Sequence, residues 1–156
     1  NKTGRPFTGD FAGKVLYPAL IKSDLARGIY EEKKSDNIEL LNCRITNAVR
    51  CVPPQNKPQG IEIRNCQVFL NNEINCMKNI KGILALGVVA HNSILSIMKV
   101  TKNKYKFKHG KIHQLSKKLW IANSYHCSRY NINTGRLTVE QFEKVIMKVS
   151  NKLNTF

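Results

Sequence analysis

Segments of two hydrophobic periodicities alternate along this chain, and their alternation restricts the folds that it can adopt. Apolar residues spaced three or four positions apart predict helices, whereas short runs rich in β-branched residues predict strands. Strands that alternate with helices are typical of an α/β fold with a parallel sheet. We expect helices at about residues 12–25, 61–77, 90–98 and from 138 onwards, and strands at about 38–49, 80–88 and 119–124.

Length and composition favour one domain. The chain has 156 residues, of which 42% are hydrophobic, and this is enough to bury a core. No apolar run approaches the ~20 residues that cross a bilayer, and the first residues lack the apolar region of a signal peptide. We therefore expect a single domain over residues 1–156, in the cytoplasm and without membrane contact. Because the chain begins with Asn1, inside a motif, we expect this domain to be incomplete at its amino terminus.

Positive charge is abundant and unevenly distributed. The formal net charge of +16 suits a polyanionic partner, and residues 74–139 contain no Asp or Glu. In this stretch cations interleave with aromatic residues, a mixture that nucleic-acid binding uses: Lys99, Lys102, Lys104, Lys106, Lys108, Lys111, Lys117 and Lys118, with Tyr105, Phe107 and Trp120. Lys106 and Lys108 are candidate phosphate contacts. The alternatives are a merely solvated face and a general bias toward Lys, Asn and Ile.

The motif at residues 4–10 reads Gly-Arg-Pro-Phe-Thr-Gly-Asp. Phe7 can stack on a planar base. Asp10 can orient or deprotonate water, or oppose the positive charge on a sugar as a glycosidic bond breaks. A local alternative is that Asp10 only caps the helix that follows, because its carboxylate can accept free backbone N–H groups.

Two further candidates are expected where strands end, at the edge where open parallel sheets bind ligands. Asn47 offers both a donor and an acceptor to a base, or it could hydrogen-bond its own turn. His126 could donate a hydrogen bond to a departing base, although a generic histidine is more often structural. Arg129, Tyr130 and Asn131 follow as a polar loop suited to contacting DNA phosphates or wedging into a base stack.

Taken together, these motifs resemble the family 5, or type B, uracil-DNA glycosylases. The resemblance includes the motif at residues 4–10, Thr-Asn-Ala-Val-Arg-Cys at 46–51 and Ser-Tyr-His-Cys-Ser at 124–128, with supporting blocks at 85–87, 107–110 and 134–138. It extends over all 156 residues. It implies a three-layer α/β/α sandwich with a central parallel sheet, whose first strand is expected to lie outside this chain.

The resemblance also assigns roles to residues. It implies that Phe7 stacks on the base, that Asn47 reads the O4 and N3–H edge of uracil, and that His126 contacts the base. Asp10 would be the catalytic carboxylate.

Five cysteines in a chain expected in the cytoplasm argue against a disulfide framework, and their spacing matches no common zinc site. From composition alone they would be reduced and structural. In the resembled family, two cysteines near the amino terminus join a pair spaced like Cys51 and Cys66 to hold a 4Fe-4S cluster. Such a cluster needs four thiolates, and this chain supplies two of the expected four.

We therefore expect a monofunctional hydrolase of DNA repair. It would flip uracil, and other deaminated bases, out of DNA and hydrolyse the N-glycosidic bond with water, leaving an abasic site. The protein is expected to be a monomer associated with the nucleoid. The alternative is a catalytically incomplete fragment that binds DNA without excision, and the abundant lysines leave open a lyase that uses a Schiff base.

Overall fold

The structure, a computed structural model, describes residues 4–33, 35–50 and 58–155. Helices and strands alternate in these residues, which confirms the α/β class. The elements are α1 (Phe11–Lys22), β1 (Ala26–Arg27), β2 (Glu39–Leu40), α2 (Gly60–Cys76), β3 (Gly82–Leu86), α3 (Val88–Ile97), a 3-10 turn (Lys102–Lys104), β4 (Ile112–Gln114), β5 (Trp120–Ser124), α4 (Arg129–Asn133) and α5 (Val139–Asn154). None of the described helices is long and apolar enough to span a membrane.

The chain divides into two compact units. The first comprises Asn1–Ile45 and Ser124–Phe156 and contains α1, β1, β2, α4 and α5. The second comprises Thr46–Asn123 and contains α2, β3, α3, β4 and all of β5 except its last residue. The single domain expected over residues 1–156 stays a prediction.

Two amphipathic helices, α1 and α5, pack against each other in the first unit. Each buries the residues whose helical spacing predicts it: Val15, Leu16, Ala19 and Leu20 in α1, and Phe142, Val145, Ile146 and Val149 in α5. Helix α5 begins where predicted because Thr138 and Gln141 cap each other. The hydroxyl of Thr138 accepts the N–H of Gln141 at 3.2 Å, and the Gln141 side chain accepts the N–H of Thr138 at 3.1 Å.

The second unit contains a sheet of order β3-β5-β4. Strands β3 and β5 lie where the sequence predicts them. Strand β4 was not predicted, because three residues carry too little periodicity, and its antiparallel pairing with β5 makes the sheet mixed. Helix α3 packs on β3 and α2 packs on α3, around a core of Leu70, Ile74, Ala85, Ile94 and Ile121.

The strand expected at residues 38–49 is wrong in its extent. Only Glu39–Leu40 forms a strand, paired antiparallel with β1. Asn42 follows with a φ angle of 52°, a left-handed conformation that an extended strand does not accommodate. The residues from there to Val49 therefore lie in irregular backbone.

Close packing inside the sheet predicts a stability effect at Gly82. A Cβ atom there would lie 2.2 Å from the ring of Trp120, so Gly82→Ala forces a buried ring to move. We expect the free energy of unfolding to fall by about 1–3 kcal/mol in urea denaturation. Gly60→Ala is the matched control, because a Cβ there meets nothing closer than Arg64 at 3.5 Å. Equal stability of the two variants would contradict the packing.

Candidate active site

Three predicted site residues, Phe7, Asp10 and His126, belong to the first unit. The Phe7 ring and the His126 imidazole are in contact, with centroids 5.7 Å apart and planes inclined by 36°. Asp10 lies near enough for its charge to act on His126. Two motifs that are distant in the sequence thus contribute to one site.

Phe7 has a left-handed backbone conformation, with a φ angle of 58°, which is unusual for a bulky residue. Two tyrosine hydroxyls hold the loop: Tyr30 donates to the Phe7 carbonyl at 3.1 Å, and Tyr17 donates to the Pro6 carbonyl at 2.7 Å. Gly13 in α1 makes room, because a Cβ atom there would lie 1.8 Å from the Phe7 carbonyl oxygen. Backbone strain of this kind, about 1–3 kcal/mol, persists only where neighbours fix it.

A partly buried ion pair joins this loop to a second loop. The Arg5 guanidinium donates to both carboxylate oxygens of Asp36, at 2.5 and 2.7 Å, and its Nε donates to Thr8 at 2.7 Å. The Asp36 side chain is 0% exposed and also accepts the main-chain N–H groups of Glu31 and Ile38. The hydrogen bonds from Arg5 hold the pKa of Asp36 well below its usual range, so the carboxylate stays charged.

The same guanidinium lies over a stacked aromatic pair. The rings of Tyr17 and Tyr30 have centroids 4.5 Å apart, and Cζ of Arg5 lies 5.1 Å from the Tyr17 centroid. Burial raises the pKa of both tyrosines, so their hydroxyls keep the protons that they donate to the loop. Sequence reasoning missed these supports. Only Arg5 had a signal, its place beside Phe7 in the motif, whereas nothing in the sequence marks Asp36 as its partner.

Asp10 is the N-cap of α1, as the local alternative predicts. Its Oδ1 accepts the N–H of Gly13 at 3.0 Å. Capping takes one carboxylate oxygen, and the residue remains exposed. A cap is therefore compatible with a role toward water or a sugar cation.

His126 is a neutral imidazole at neutral pH. Burial lowers its pKa below the ordinary value, and the nearby charge of Asp10 only partly offsets this. Its Nδ1 is buried and has no hydrogen-bond partner among the residues that the structure describes. Because buried polar atoms are normally hydrogen-bonded, this nitrogen is available to a bound group. A neutral ring has one N–H to donate, which is what contact with a base carbonyl requires.

Two side chains fix the backbone around His126. The Asn131 amide donates to the His126 carbonyl at 2.8 Å, and the buried Cys127 thiol donates to the Ala12 carbonyl in α1 at 3.6 Å. Burial raises the pKa of Cys127 to about 12, so the thiol stays protonated. Asn131 thus supports His126, a contact that the sequence did not predict. The DNA contact expected of Asn131 stays a prediction.

Arg129 and Tyr130 lie at the start of α4, and both are exposed. Tyr130 is 71% exposed, and the Arg129 guanidinium lies 5.4 Å from the centroid of the Phe11 ring. The Ser128 hydroxyl caps the helix by accepting the N–H of Asn131 at 3.3 Å. The position of both side chains suits a contact with DNA, which stays a prediction.

The remaining predicted contacts, Asn47, Lys106 and Lys108, belong to the second unit and are exposed. Asn47 lies in irregular backbone, so the expected position at a strand end is wrong. Its amide has no partner among the described residues, which leaves it able to pair with a ligand. The alternative of a bond to its own turn is not seen within that part of the chain.

The aromatic residues at positions 105, 107 and 120 are not open stacking surfaces. Trp120 is 1% exposed, within β5. The rings of Tyr105 and Phe107 pack edge-on against His113 and His91, with centroids 5.7 and 5.6 Å apart. Over residues 99–120 the exposed lysines, rather than these three rings, are the groups that can reach a nucleic acid.

Among the described residues, one expected ligand of an iron–sulfur cluster is present, and one thiolate cannot hold a cluster by itself. Cys66 is buried, and its Sγ accepts the N–H of Arg50 at 3.4 Å. Cys51, the second expected ligand, lies outside the described residues. The Cys43 thiol donates to a main-chain carbonyl, and its pKa is raised by burial. Across residues 4–33, 35–50 and 58–155, no three His, Cys, Asp or Glu side chains are grouped to hold a metal ion.

The site can be compared with known families. A sequence model of the Uracil DNA glycosylase superfamily matches residues 1–150. The chain belongs to this superfamily. Membership confirms the resemblance and the fold class that the motifs imply.

Curated relatives have the same family name. The type-5 uracil-DNA glycosylase of Thermus thermophilus is 38% identical over 148 residues, 95% of this chain and 67% of that protein. The type-5 protein of Pyrobaculum aerophilum is 36% identical over 150 residues, 96% of this chain and 65% of that protein. The type-4 uracil-DNA glycosylase of Pyrobaculum aerophilum is 31% identical over 99 residues, 63% of this chain and 43% of that protein. The chain thus spans about two thirds or less of the length of these relatives.

The ion pair of the Phe7 loop predicts a large loss of stability in Asp36→Asn. The substitution leaves the Arg5 guanidinium partly buried without its counter-charge, and we expect the free energy of unfolding to fall by about 3 kcal/mol at neutral pH. Glu39→Gln is the matched control, because Glu39 forms a solvent-exposed ion pair with Arg27. Such pairs contribute about 0–1 kcal/mol to the free energy of unfolding. Denaturant unfolding measures both. A loss no larger than that of the control would contradict the buried pair.

The same pair predicts a pH dependence. The pKa of Asp36 is lower in the folded protein than in the unfolded chain, where it is about 3.9. The charged carboxylate therefore contributes fully to the free energy of unfolding above that unfolded value. This contribution is lost as the pH falls from there through the folded pKa. The stability difference between the wild type and Asp36→Asn should stay constant down to about pH 5 and shrink below about pH 4. A difference that increased in acid would contradict the lowered pKa.

Proposed function

We propose that this chain is a DNA-repair glycosylase that hydrolyses the N-glycosidic bond of uracil in DNA and leaves an abasic site. Membership of the superfamily and similarity to type-5 uracil-DNA glycosylases support the reaction. The observation that carries it is the contact between Phe7 and His126. An aromatic ring lies against an imidazole whose buried Nδ1 has no partner in the described part of the chain, within electrostatic reach of Asp10.

Binding begins with a base that has left the DNA stack. Enzymes that act on a base flip it into a site where its faces and edges are contacted by protein groups. The ring of Phe7 offers the stacking surface. Its strained backbone is fixed by the loop contacts of Tyr17, Tyr30 and Arg5, so the ring is in place before the base arrives.

His126 acts on the leaving base. As the N-glycosidic bond stretches, its electrons move onto the base, and negative charge accumulates on the base carbonyl oxygens. An N–H of a neutral imidazole can donate to such an oxygen and stabilise the charge without transferring a proton. Asn131 and Cys127 hold the His126 backbone, which keeps the donor in place as the charge develops.

Asp10 acts on the sugar side. Its negative charge opposes the oxocarbenium-like charge on the deoxyribose, and the carboxylate can orient or accept a proton from the water that adds to C1′. The bond from the sugar to the base breaks, and the bond from the sugar to water oxygen forms. The helix cap fixes the direction of the carboxylate.

Asn47 is proposed to read the base. Its amide N–H can donate to uracil O4 and its carbonyl oxygen can accept the N3–H, whereas cytosine presents the opposite pattern at these positions. Arg129, Tyr130, Asn131, Lys106 and Lys108 are proposed to contact DNA. Other deaminated bases, a monomeric state and nucleoid association remain predictions, as does a 4Fe-4S cluster resting on Cys51 and Cys66. No step above depends on the cluster.

Asp10→Asn distinguishes the capping role of Asp10 from the proposed catalytic role of its charge. Asparagine caps a helix as well as aspartate does, so thermal stability should be unchanged, while loss of the charge should slow single-turnover uracil release roughly 100-fold. Asp10→Ala is the companion variant, which should lose the cap as well and about 1 kcal/mol of stability. Normal uracil release by Asp10→Asn would leave Asp10 with a capping role only.

Asn47→Ala should lower uracil excision more than DNA affinity. Loss of the amide removes hydrogen bonds to the flipped base, and we expect single-turnover release to slow ~100-fold. Affinity for DNA without uracil should stay within twofold of the wild type, because phosphate contacts supply that binding. Asn72→Ala, at an exposed position in α2, is the matched control. Equal losses of excision and general affinity would contradict the proposed reading of the base.

The proposed function itself is tested by uracil release from a duplex with a single G·U pair. Abasic sites formed by this chain appear as alkali-labile strand breaks, and borohydride trapping reveals a Schiff base if a lyase acts. Breaks that need alkali, without trapped protein, support a monofunctional glycosylase. DNA binding without release would overturn the proposal in favour of the binding fragment.

A further inference from the structure

The second unit contains a run of exposed lysines, and two buried histidine side chains bind the backbone of this run. We define the lysine segment as residues 102–108, which contains four exposed lysines, Lys102, Lys104, Lys106 and Lys108. Between them, Tyr105 and Phe107 are half-buried. From residue 105 to residue 108 the chain therefore alternates, with aromatic rings inward and lysines outward.

His91 holds one carbonyl of this segment. It is buried in α3, and its Nε2 lies 2.7 Å from the carbonyl oxygen of Tyr105, while Nδ1 lies 2.7 Å from the Asn123 side chain. A carbonyl can only accept, so Nε2 carries the proton. The Asn123 amide can donate to Nδ1 when its nitrogen, rather than its oxygen, faces the ring. This orientation also gives a partner to an amide nitrogen that otherwise has none in the described residues.

His113 holds the next carbonyl. It lies in β4, and its Nε2 donates to the Lys106 carbonyl at 3.0 Å. Burial lowers the pKa of His113 below its ordinary value, against the opposing effect of that hydrogen bond, so the ring is neutral and keeps its one N–H for the carbonyl. Two histidines from two elements thus fix two consecutive peptide units.

The aromatic rings lock the same arrangement. Phe107 packs edge-on against His91, and Tyr105 packs edge-on against His113. Each histidine therefore makes two contacts with the lysine segment, a hydrogen bond to a main-chain carbonyl and an edge-on contact with an aromatic ring. The lysines project from a backbone that these hydrogen bonds hold, and residues 74–139 contain no acidic side chain.

We propose that the lysine segment is a preformed contact for the DNA backbone, indifferent to uracil, and that His91 and His113 are its positioning residues. The inference rests on the proposed function, in which DNA is the substrate. Phosphate contacts position a protein on DNA without reading the bases. Ordering the segment before binding lowers the entropy lost on association, so the histidines act on affinity through the placement of Lys106 and Lys108.

The decisive variants are His113→Leu and His113→Gln. Leucine fills the space without a donor, whereas the glutamine amide can still donate to the Lys106 carbonyl. For duplex DNA without uracil, we expect Kd to rise roughly tenfold in His113→Leu and to return within twofold of the wild type in His113→Gln. The Lys106→Gln, Lys108→Gln double variant should reduce the slope of log K against log salt by about 2.

A merely structural role would leave these readouts unchanged. If His113→Leu binds DNA with the Kd and salt slope of the wild type, or if folded His113→Gln fails to restore binding, the inference is wrong. A measurement on the wild type guards against misfolded variants: backbone order parameters of residues 105–108 should be about 0.85 in the free protein, and values below about 0.6 would show a segment that is not preformed.

Uracil release separates this inference from the proposed function. In His113→Leu, the protein concentration for half-maximal single-turnover release should rise roughly tenfold, while the maximal rate is unchanged. Wild-type protein that binds DNA through the lysine segment but releases no uracil would overturn the proposed function and support the segment. Normal release by the wild type, with binding unaffected in His113→Leu, would overturn the inference alone.

Discussion

The ion pair between Arg5 and Asp36 is the interaction on which the candidate site depends. It joins two loops through two short hydrogen bonds and places a cation over the stacked rings of Tyr17 and Tyr30. Those tyrosines in turn hold the carbonyls around Phe7, whose backbone is strained. A buried carboxylate is costly unless its hydrogen-bonding capacity is satisfied, and the Asp36 carboxylate accepts from main-chain groups as well as from Arg5. The loop is therefore held by contacts within the protein itself.

Three histidines differ in the hydrogen-bond partners of their ring nitrogens, and these partners indicate different roles. His91 and His113 have ring nitrogens committed to main-chain carbonyls, and such a commitment fits a structural or positioning role. His126 differs, because its buried Nδ1 has no partner within the described residues while its main-chain carbonyl is firmly held. The hydrogen bonds therefore distinguish His126, whose role toward the base is a proposal, from the two histidines whose ring nitrogens bind main-chain carbonyls.

Sequence reasoning predicted the elements whose signals are local. The helices α1, α2, α3 and α5 each carry several turns of apolar spacing, and their observed bounds lie within about two to four residues of those expected. Strand β4 has three residues, too few to show a hydrophobic periodicity. The strand predicted at 38–49 is wrong because the left-handed conformation of Asn42 cannot be seen in the hydrophobic pattern. The motifs predict Phe7, Asp10 and His126 as site residues, and their roles stay predictions. The pairing of Arg5 with Asp36 is a tertiary contact without a local signal.

The close approach at Gly13 limits how this site could be transplanted or redesigned. The first turn of α1 and the carbonyl of Phe7 occupy space that any Cβ atom would fill, and the hydroxyl of Tyr30 shares it. The helix that Asp10 caps and the loop that carries Phe7 therefore depend on each other for their backbone conformation. Residues 4–10 grafted onto another helix would keep their sequence but would not adopt this backbone conformation. The graft would also need Gly13 and Tyr30.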